Sequence, residues 1–198
     1  MTEQDLTERG LTREGVFKGR LLSVRVDTVA LPDGRTAQRE VVEHPGAVAV
    51  LPVAQDGTLL LVRQFRYAVG AMSLELPAGC LDRPGEPLEA AARRELREET
   101  GHDAARWTYL GRFHSSPGVL GETVHLWLAE GLTAGAPSPD EDEWVAVVPM
   151  ALSEALEAIQ RGEIRDAKTV VGLLWLARFG QATKQQAPQP PPATLEDA

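Results

Sequence analysis

The chain of 198 residues is patterned as short apolar runs separated by turn residues, which predicts a series of β-strands. Residues 16–31 are rich in valine and leucine and predict a long strand. A Pro-Asp-Gly turn separates it from a returning strand over residues 36–42. Residues 1–12 are polar and are predicted to fray. The pattern therefore predicts an N-terminal β-hairpin domain over residues 1–43.

Residues 44–180 carry the pattern of a larger domain. Its predicted strands cover residues 46–53, 58–65, 74–76, 107–114, 123–129 and 144–149. Its predicted helices cover residues 87–101, 153–161 and 167–178, and the last is expected to bury a stripe of Val170, Val171, Leu174 and Ala177. Strands with helices on both sides predict an α/β sandwich. Residues 181–198 are polar and proline-rich, which predicts a disordered tail.

The first predicted helix changes character along one face. At about 100° per residue, this face holds three apolar residues and then three glutamates: Leu88, Ala91, Ala92, Glu95, Glu98 and Glu99. Glu95 and Glu99 are like charges at i and i+4, which repel each other, so a cation is expected beside them. Carboxylates suit hard divalent cations such as Mg²⁺, which also bind substrate phosphates. The alternative is a solvated acidic face, which most glutamate-rich helices present.

The carboxylates have a characteristic spacing. Glu86 is followed by seven residues and then by the segment RELREETG, which starts at Arg94. This resembles the box of the Nudix hydrolase family, although Gly79 lies one residue further from Glu86 than is usual and His102 replaces an apolar residue. Neither difference replaces one of the carboxylate residues of the box. The resemblance implies a Nudix-type α/β/α sandwich that hydrolyses a diphosphate.

Composition narrows the choice of partners. A hydrophobic content of 43% and a charged content of 25% are ordinary for a globular protein. The net charge of −9 argues against a nucleic-acid partner. Without a long apolar run or a signal peptide, the chain is expected to be cytoplasmic and to have no membrane partner. The single cysteine, Cys80, cannot form an internal disulfide and has no visible partner in the sequence, so an incidental residue is expected.

Three features outside the box resemble the ADP-ribose pyrophosphatase branch. They are a proline 16 positions after Gly101, the segments VRQFR and ELPAG that lead into the box, and the N-terminal hairpin with the phrase VEHPG. In that branch the hairpin domain exchanges between two subunits, which implies a homodimer. The resemblance also implies a set of substrate-binding residues: Arg66, Arg63, Glu75, Pro117 and Gly118. The alternative for the two arginines is an ordinary surface charge.

The resemblance further assigns metal ligands. Glu95 and Glu99 are the leading candidate ligands, and Glu98 is the next. The main-chain carbonyl of Ala78 is a further candidate ligand. Arg94 is expected to pair with Glu86 and hold the helix, which a plain structural salt bridge would do equally. Mg²⁺ is the expected cofactor, and the sequence leaves open whether Mn²⁺ or Zn²⁺ replaces it.

The acidic run over residues 140–143 follows two prolines. By composition it is a solvated loop. Alignment to the family instead places Glu141 as general base and Glu143 as a metal contact, on a loop that closes over the substrate. Glu98 and the other box carboxylates are the alternative bases.

The leading hypothesis is a Mg²⁺-dependent hydrolase that converts ADP-ribose and water to AMP and ribose 5-phosphate. A nucleoside diphosphate sugar hydrolase of broader specificity is the alternative. A binding module that senses ADP-ribose without cleaving it is a third hypothesis, which the retained box carboxylates weaken.

Overall fold

The computed structural model describes residues 5–135, 144–180 and 188–191. Its N-terminal part is an antiparallel sheet in the order β1 (Arg9–Lys18), β2 (Ser23–Ala30) and β3 (Thr36–Glu43). The predicted hairpin is confirmed as β2 and β3. The predicted long strand is instead two strands, and β1 begins inside the segment predicted to fray. β1 is exposed at all ten positions and its apolar residues Leu11, Val16 and Phe17 do not alternate regularly with polar ones, so backbone pairing with β2 defines it.

The larger sheet has seven strands within the described ranges, and its main path runs β10-β5-β4-β9-β8. The strands are β4 (Ala47–Val53), β5 (Thr58–Arg66), β6 (Ala71–Glu75), β7 (Ala78–Cys80), β8 (His102–His114), β9 (Thr123–Ala134) and β10 (Ala146–Ala151). β4 and β9 are parallel neighbours, whereas β6 pairs antiparallel with β5 and β7 with β4. The short β7 is therefore attached to a central strand.

Three helices cover the two faces of this sheet: α1 (Leu88–Thr100), α2 (Leu152–Gln160) and α3 (Ala167–Phe179). Val48 and Val50 of β4 pack with α1, and Ala49 and Leu51 pack with α2 and α3. Successive residues of β4 are buried on both faces, so the strand is a continuous apolar run. The predicted α/β/α sandwich is confirmed. None of the described helices is long and apolar enough to cross a membrane.

The buried face of α3 differs from the predicted stripe. Thr169, Gly172 and Leu173 are buried, whereas Leu174 is 51% exposed. The helix lies so close to the sheet that a Cβ at Gly172 would stand 2.6 Å from Leu76 Cδ1. Thr169 Oγ1 accepts a 2.8 Å hydrogen bond from the Leu76 N–H. The stripe prediction was wrong for Leu174 and Ala177, which are exposed, whereas Val170 is partly buried and packs against the core. The prediction ranked positions by apolar character, but the closest contacts belong to a glycine and a threonine.

Two adjacent leucines test this orientation of α3. Leu173→Ala is expected to lower the free energy of unfolding by about 2–5 kcal/mol, because it leaves a cavity in the core. Leu174→Ala is the matched control and should cost less than about 1 kcal/mol, because its side chain is half exposed. Urea unfolding of both variants measures the difference. Equal losses, or a larger loss for Leu174→Ala, would contradict the packing described here.

Candidate active site

The anionic end of α1 is buried against the sheet. The helix starts after Pro87 and ends at Gly101, whose φ of 70° is the left-handed conformation that glycine favours. Glu95 and Glu99 are only 8% and 4% exposed. They continue the face that begins with buried alanines, as the helical spacing predicted. The alternative of a solvated acidic face is therefore wrong for these two residues.

The backbone of β7 forms the other side of this buried end. The Ala78 N–H donates a 3.0 Å hydrogen bond to Glu99 Oε2. A Cβ at Gly79 would overlap the Glu95 carboxylate. Glycine at position 79 is thus what allows a carboxylate to lie directly on this strand. Metal-ligating candidates Ala78, Glu95 and Glu99 are brought together by the packing of α1 on β7.

Arg94 joins the carboxylates of this region. Its Nε and Nη2 donate to the two oxygens of Glu86 at 3.1 and 3.0 Å, which confirms the predicted pairing. Its Nη1 donates to Glu95 at 2.5 Å and to Glu98 at 3.0 Å. The hydrogen bonds that Arg94 donates to Glu86, opposed by burial and assisted by the other carboxylates, raise the pKa of Arg94. One guanidinium therefore contacts three carboxylates of this region.

The donor chemistry of this region suits a hard divalent cation. Glu95, Glu98 and Glu99 offer only oxygen atoms. In the part of the chain that the structure describes, no group of three or more His, Cys, Asp or Glu side chains is already arranged around a metal position. The reason is visible in their contacts, since Glu98 pairs with Arg94 and Arg83 and Glu99 accepts from Ala78.

A cavity of about 830 Å³ lies beside the carboxylates. Glu95 and Glu98 of α1 line it together with the Ala78–Cys80 backbone segment, and we call this the α1 side. Arg66 of β5 and Lys168 of α3 line it as well, and we call this the α3 side. Arg20, in the loop between β1 and β2, adds a contribution from the N-terminal sheet. The cavity thus combines anionic and cationic surfaces.

The α3 side is organised around a buried glutamate. Glu75 is 2% exposed, and Arg66 donates to its two oxygens at 2.9 and 2.8 Å. Lys168 pairs with the same Glu75 Oε2 and with Asp166 Oδ1, the latter at 3.0 Å. Burial opposes ionisation of Glu75, but Arg66 and Lys168 outweigh it and lower its pKa to about 2. Glu75 is therefore an anion at neutral pH and holds both cations in place.

The two sides of the cavity interact electrostatically. The hydrogen bond to Glu75, opposed by burial, raises the pKa of Arg66, and the negative charge of Glu99 adds to the rise. Arg66 therefore stays charged between the two carboxylates.

Other predicted residues lie away from this cavity. Arg63 is exposed and lies an odd number of positions before Arg66 along β5, so it faces the other way. Pro117 and Gly118 are exposed in a loop whose neighbours hydrogen-bond to Val42 of β3.

Glu141 and Glu143 lie outside the described residues.

Sequence reasoning missed two contacts in the cavity. Lys168 lies 93 residues from Glu75, and no local pattern links them. Cys80 Sγ lies 3.7 Å from His44 Nε2, although no partner was visible in the sequence. Burial, with nearby carboxylates, raises the pKa of Cys80, and His44 Nδ1 accepts a hydrogen bond from the Gly46 N–H. These features keep the thiol protonated, which agrees with a residue that is no nucleophile.

Comparisons with known proteins agree with this geometry. The family model described as the Nudix domain matches residues 36–173. The one described as the nucleoside diphosphate sugar hydrolase N-terminal domain matches residues 11–42. The chain is 41% identical over 175 residues to the ADP-ribose pyrophosphatase of Bacillus subtilis (strain 168), covering 87% of this chain and 94% of the relative.

A second relative and a solved structure extend the likeness. The ADP-ribose pyrophosphatase of Mycobacterium tuberculosis (strain ATCC 25618 / H37Rv) is 38% identical over 178 residues, covering 88% of this chain and 84% of the relative. A crystal structure titled as an ADP compounds hydrolase superposes with a TM-score of 0.77 at 26% identity, covering 90% of this chain and 99% of that chain. The resemblance seen in the sequence is confirmed, and the chain belongs to the Nudix hydrolase family, in its ADP-ribose pyrophosphatase branch.

Proposed function

We propose that this protein hydrolyses the diphosphate of ADP-ribose with water, giving AMP and ribose 5-phosphate. The observation that carries the proposal is the cavity with box carboxylates on its α1 side and Arg66 on its α3 side. A metal-bound diphosphate presents both a cation and anionic oxygens, so it is complementary to such a cavity. The names of the two bacterial relatives and of the solved structure support ADP-ribose as the substrate.

Nudix hydrolases generally use divalent metal ions, and we propose Mg²⁺ here, with Mn²⁺ as the alternative ion. Five groups are proposed to hold it: the carbonyl of Ala78 and the carboxylates of Glu95, Glu98, Glu99 and Glu143. When bound, the ion supplies positive charge to the phosphates and lowers the pKa of a water molecule.

The protein's own residues supply the remaining functions. Arg94 orients Glu98 and Glu95 through the hydrogen bonds already described, so these side chains are positioned before substrate enters. Arg66, held by Glu75, is the proposed phosphate contact. Arg63 is left out of this role because it faces away. Glu141 is the proposed general base that takes the proton of the attacking water.

We also propose that the active form is a homodimer in which the N-terminal sheet contacts a second copy. Leu11, Val16 and Phe17 of β1 are 48%, 56% and 57% exposed, which leaves apolar surface uncovered in one chain. A second subunit packed on β1 would cover this apolar surface.

A second candidate is a nucleoside diphosphate sugar hydrolase of broader specificity. The match of residues 11–42 to an N-terminal domain described for nucleoside diphosphate sugar hydrolases favours it. A non-catalytic binding module is the weaker alternative, because Glu95, Glu98 and Glu99 are all retained.

The first test measures substrate choice and the metal site together. The wild-type protein with Mg²⁺ is expected to hydrolyse ADP-ribose to AMP with a higher kcat/KM than it hydrolyses ADP-glucose to AMP, GDP-mannose to GMP or UDP-glucose to UMP. Glu99→Gln should lower kcat by orders of magnitude, because it removes a ligand charge without changing the shape of the side chain. Chromatography of the released nucleotide measures both effects.

A glutamate of the same helix provides the control. Glu89 is exposed in the first turn of α1 and pairs with Arg93, so Glu89→Gln makes the same charge change away from the cavity. It should keep wild-type kcat. Comparable rates on all four nucleotides would favour the broader hydrolase. Near-normal turnover of Glu99→Gln at saturating Mg²⁺ would contradict the metal assignment.

The second test separates the general base from a metal ligand. Glu141→Gln is expected to lower kcat by about 10²- to 10⁴-fold with little change in the Mg²⁺ concentration for half activity. Glu143→Gln should raise that Mg²⁺ concentration instead. Steady-state kinetics over a Mg²⁺ titration measure both quantities. If excess Mg²⁺ restores Glu141→Gln, that residue is a ligand, and if neither variant changes kcat, the base lies among the box carboxylates.

The third test concerns the dimer. Sedimentation velocity should show a dimer for the full chain and a monomer after deletion of residues 1–42, with loss of ADP-ribose binding. Phe17→Asp should also weaken the dimer, because it places a charge on the exposed apolar surface of β1. Thr36→Asp, an exposed position at the start of β3, is the control for added charge. A fully active full-length monomer would rule out the proposal.

A further inference from the structure

Lys168 is a second cation on the α3 side of the cavity. It lies in the first turn of α3, and its side chain is 15% exposed. Asp166 and Ala167 line the cavity beside it. The residue is therefore part of the cavity surface, although its ammonium group is bonded to the buried Glu75 and to the partly exposed Asp166.

The contacts of Lys168 exceed what the neutralisation of Glu75 requires. Arg66 already donates to both oxygens of Glu75, which is a complete pairing for one carboxylate. Asp166 likewise has a separate role, since it accepts hydrogen bonds from the Thr169 N–H at 3.0 Å and from the Thr169 hydroxyl and so caps α3. Arg66 and Lys168 together balance the charges of Glu75 and Asp166, and both cations also line the cavity.

Arg66 and Lys168 both bond to the same oxygen of Glu75. Arg66 Nη2 lies 2.8 Å from Glu75 Oε2, and Lys168 Nζ bonds to that same oxygen. An ammonium group has three N–H donors, and the described residues engage two of them through Glu75 and Asp166. The third can serve a ligand in the cavity.

We propose that Lys168 is a phosphate-binding residue that forms, with Arg66, a two-cation seat for one phosphate of the substrate's diphosphate. Glu75 positions both Arg66 and Lys168 by accepting hydrogen bonds from them. This inference rests on the proposed function, because it assigns a ligand group within the same cavity. The planar guanidinium offers parallel donors and the ammonium offers a compact point charge, and these are complementary contacts to the oxygens of one phosphate.

Charge balance supports this arrangement. The chain has a net charge of −9, so a dianionic substrate must find its positive charge locally. On the α1 side, Arg94 and Arg83 are paired with glutamates. These two arginines face three glutamates, Glu86, Glu95 and Glu98. On the α3 side, Arg66 and Lys168 balance Glu75 and Asp166, and both cations line the cavity, so this side is the less negative of the two. The phosphate oxygens that the metal does not contact therefore fit best beside Arg66 and Lys168.

The experiment measures ADP binding by isothermal titration calorimetry with Mg²⁺, and KM and kcat for ADP-ribose. Lys168→Gln is expected to weaken ADP binding and raise KM by about 10- to 100-fold, with a smaller change in kcat, because it removes charge-assisted hydrogen bonds. Lys168→Arg should retain most of the affinity. Arg178→Gln, an exposed residue in the last turn of α3, makes the same charge change outside the cavity and should match wild type.

A charge-balanced double variant separates binding from folding. Lys168→Gln/Asp166→Asn removes one positive and one negative charge, keeps the Arg66 pair with Glu75, and retains a residue that caps helices well. It should fold and show the same loss of ADP affinity. Wild-type ADP affinity and KM in either glutamine variant, with or without a lower melting temperature, would overturn the proposal and leave Lys168 a structural residue.

The proposed function can fail separately. A wild-type protein that binds ADP through Lys168 but releases no AMP from ADP-ribose would refute the activity and support the phosphate seat. If the wild-type protein hydrolyses ADP-ribose and Lys168→Gln has the same KM, the activity is supported and the phosphate-binding role of Lys168 is refuted.

Discussion

The arrangement of the candidate site depends on Arg94. Burying carboxylates is expensive, and α1 places Glu95 and Glu99 where they are almost inaccessible to water. Arg94 offsets this cost for Glu95, which it contacts together with Glu86 and Glu98 from a side chain that is 14% exposed, and Glu99 accepts a hydrogen bond from the Ala78 N–H. Removing one partner from such a buried network typically costs about 3–5 kcal/mol. The helix can therefore hold an anionic face ready for a cation because the fold contains its own counter-ion.

The same principle recurs on the other side of the cavity with the signs reversed. There one buried anion, Glu75, holds two cations, Arg66 and Lys168. The low pKa of Glu75 means that this arrangement persists across the physiological pH range. Each side thus holds its charged groups through contact with groups of opposite charge, and both signs of charge line the cavity. This explains how an acidic protein can offer a defined place for a metal-bound diphosphate.

Local geometry explains which parts of the site could be predicted. The face shared by Glu95 and Glu99 follows from helical spacing, whereas the Glu86–Arg94 pair was implied by the family resemblance. Arg66 was reached through resemblance and does line the cavity. Arg63 was grouped with it, but alternation along a strand turns the two side chains to opposite faces. The family resemblance identified the strand, and the alternation of side chains along it determines that Arg66, and not Arg63, lines the cavity.

The sequence by itself determined the layered α/β fold, the family and the carboxylate face, because hydrophobic periodicity and motif spacing are properties of neighbouring residues. Tertiary structure alone decided three further features: the exposed strand β1, the buried face of α3, and the meeting of Lys168 with Glu75. β1 is defined by backbone hydrogen bonds that side chains do not encode. The face of α3 follows from a close approach at Gly172, and the Lys168 contact joins residues 93 positions apart. Such contacts arise when separate elements pack together, so no local window of sequence contains them.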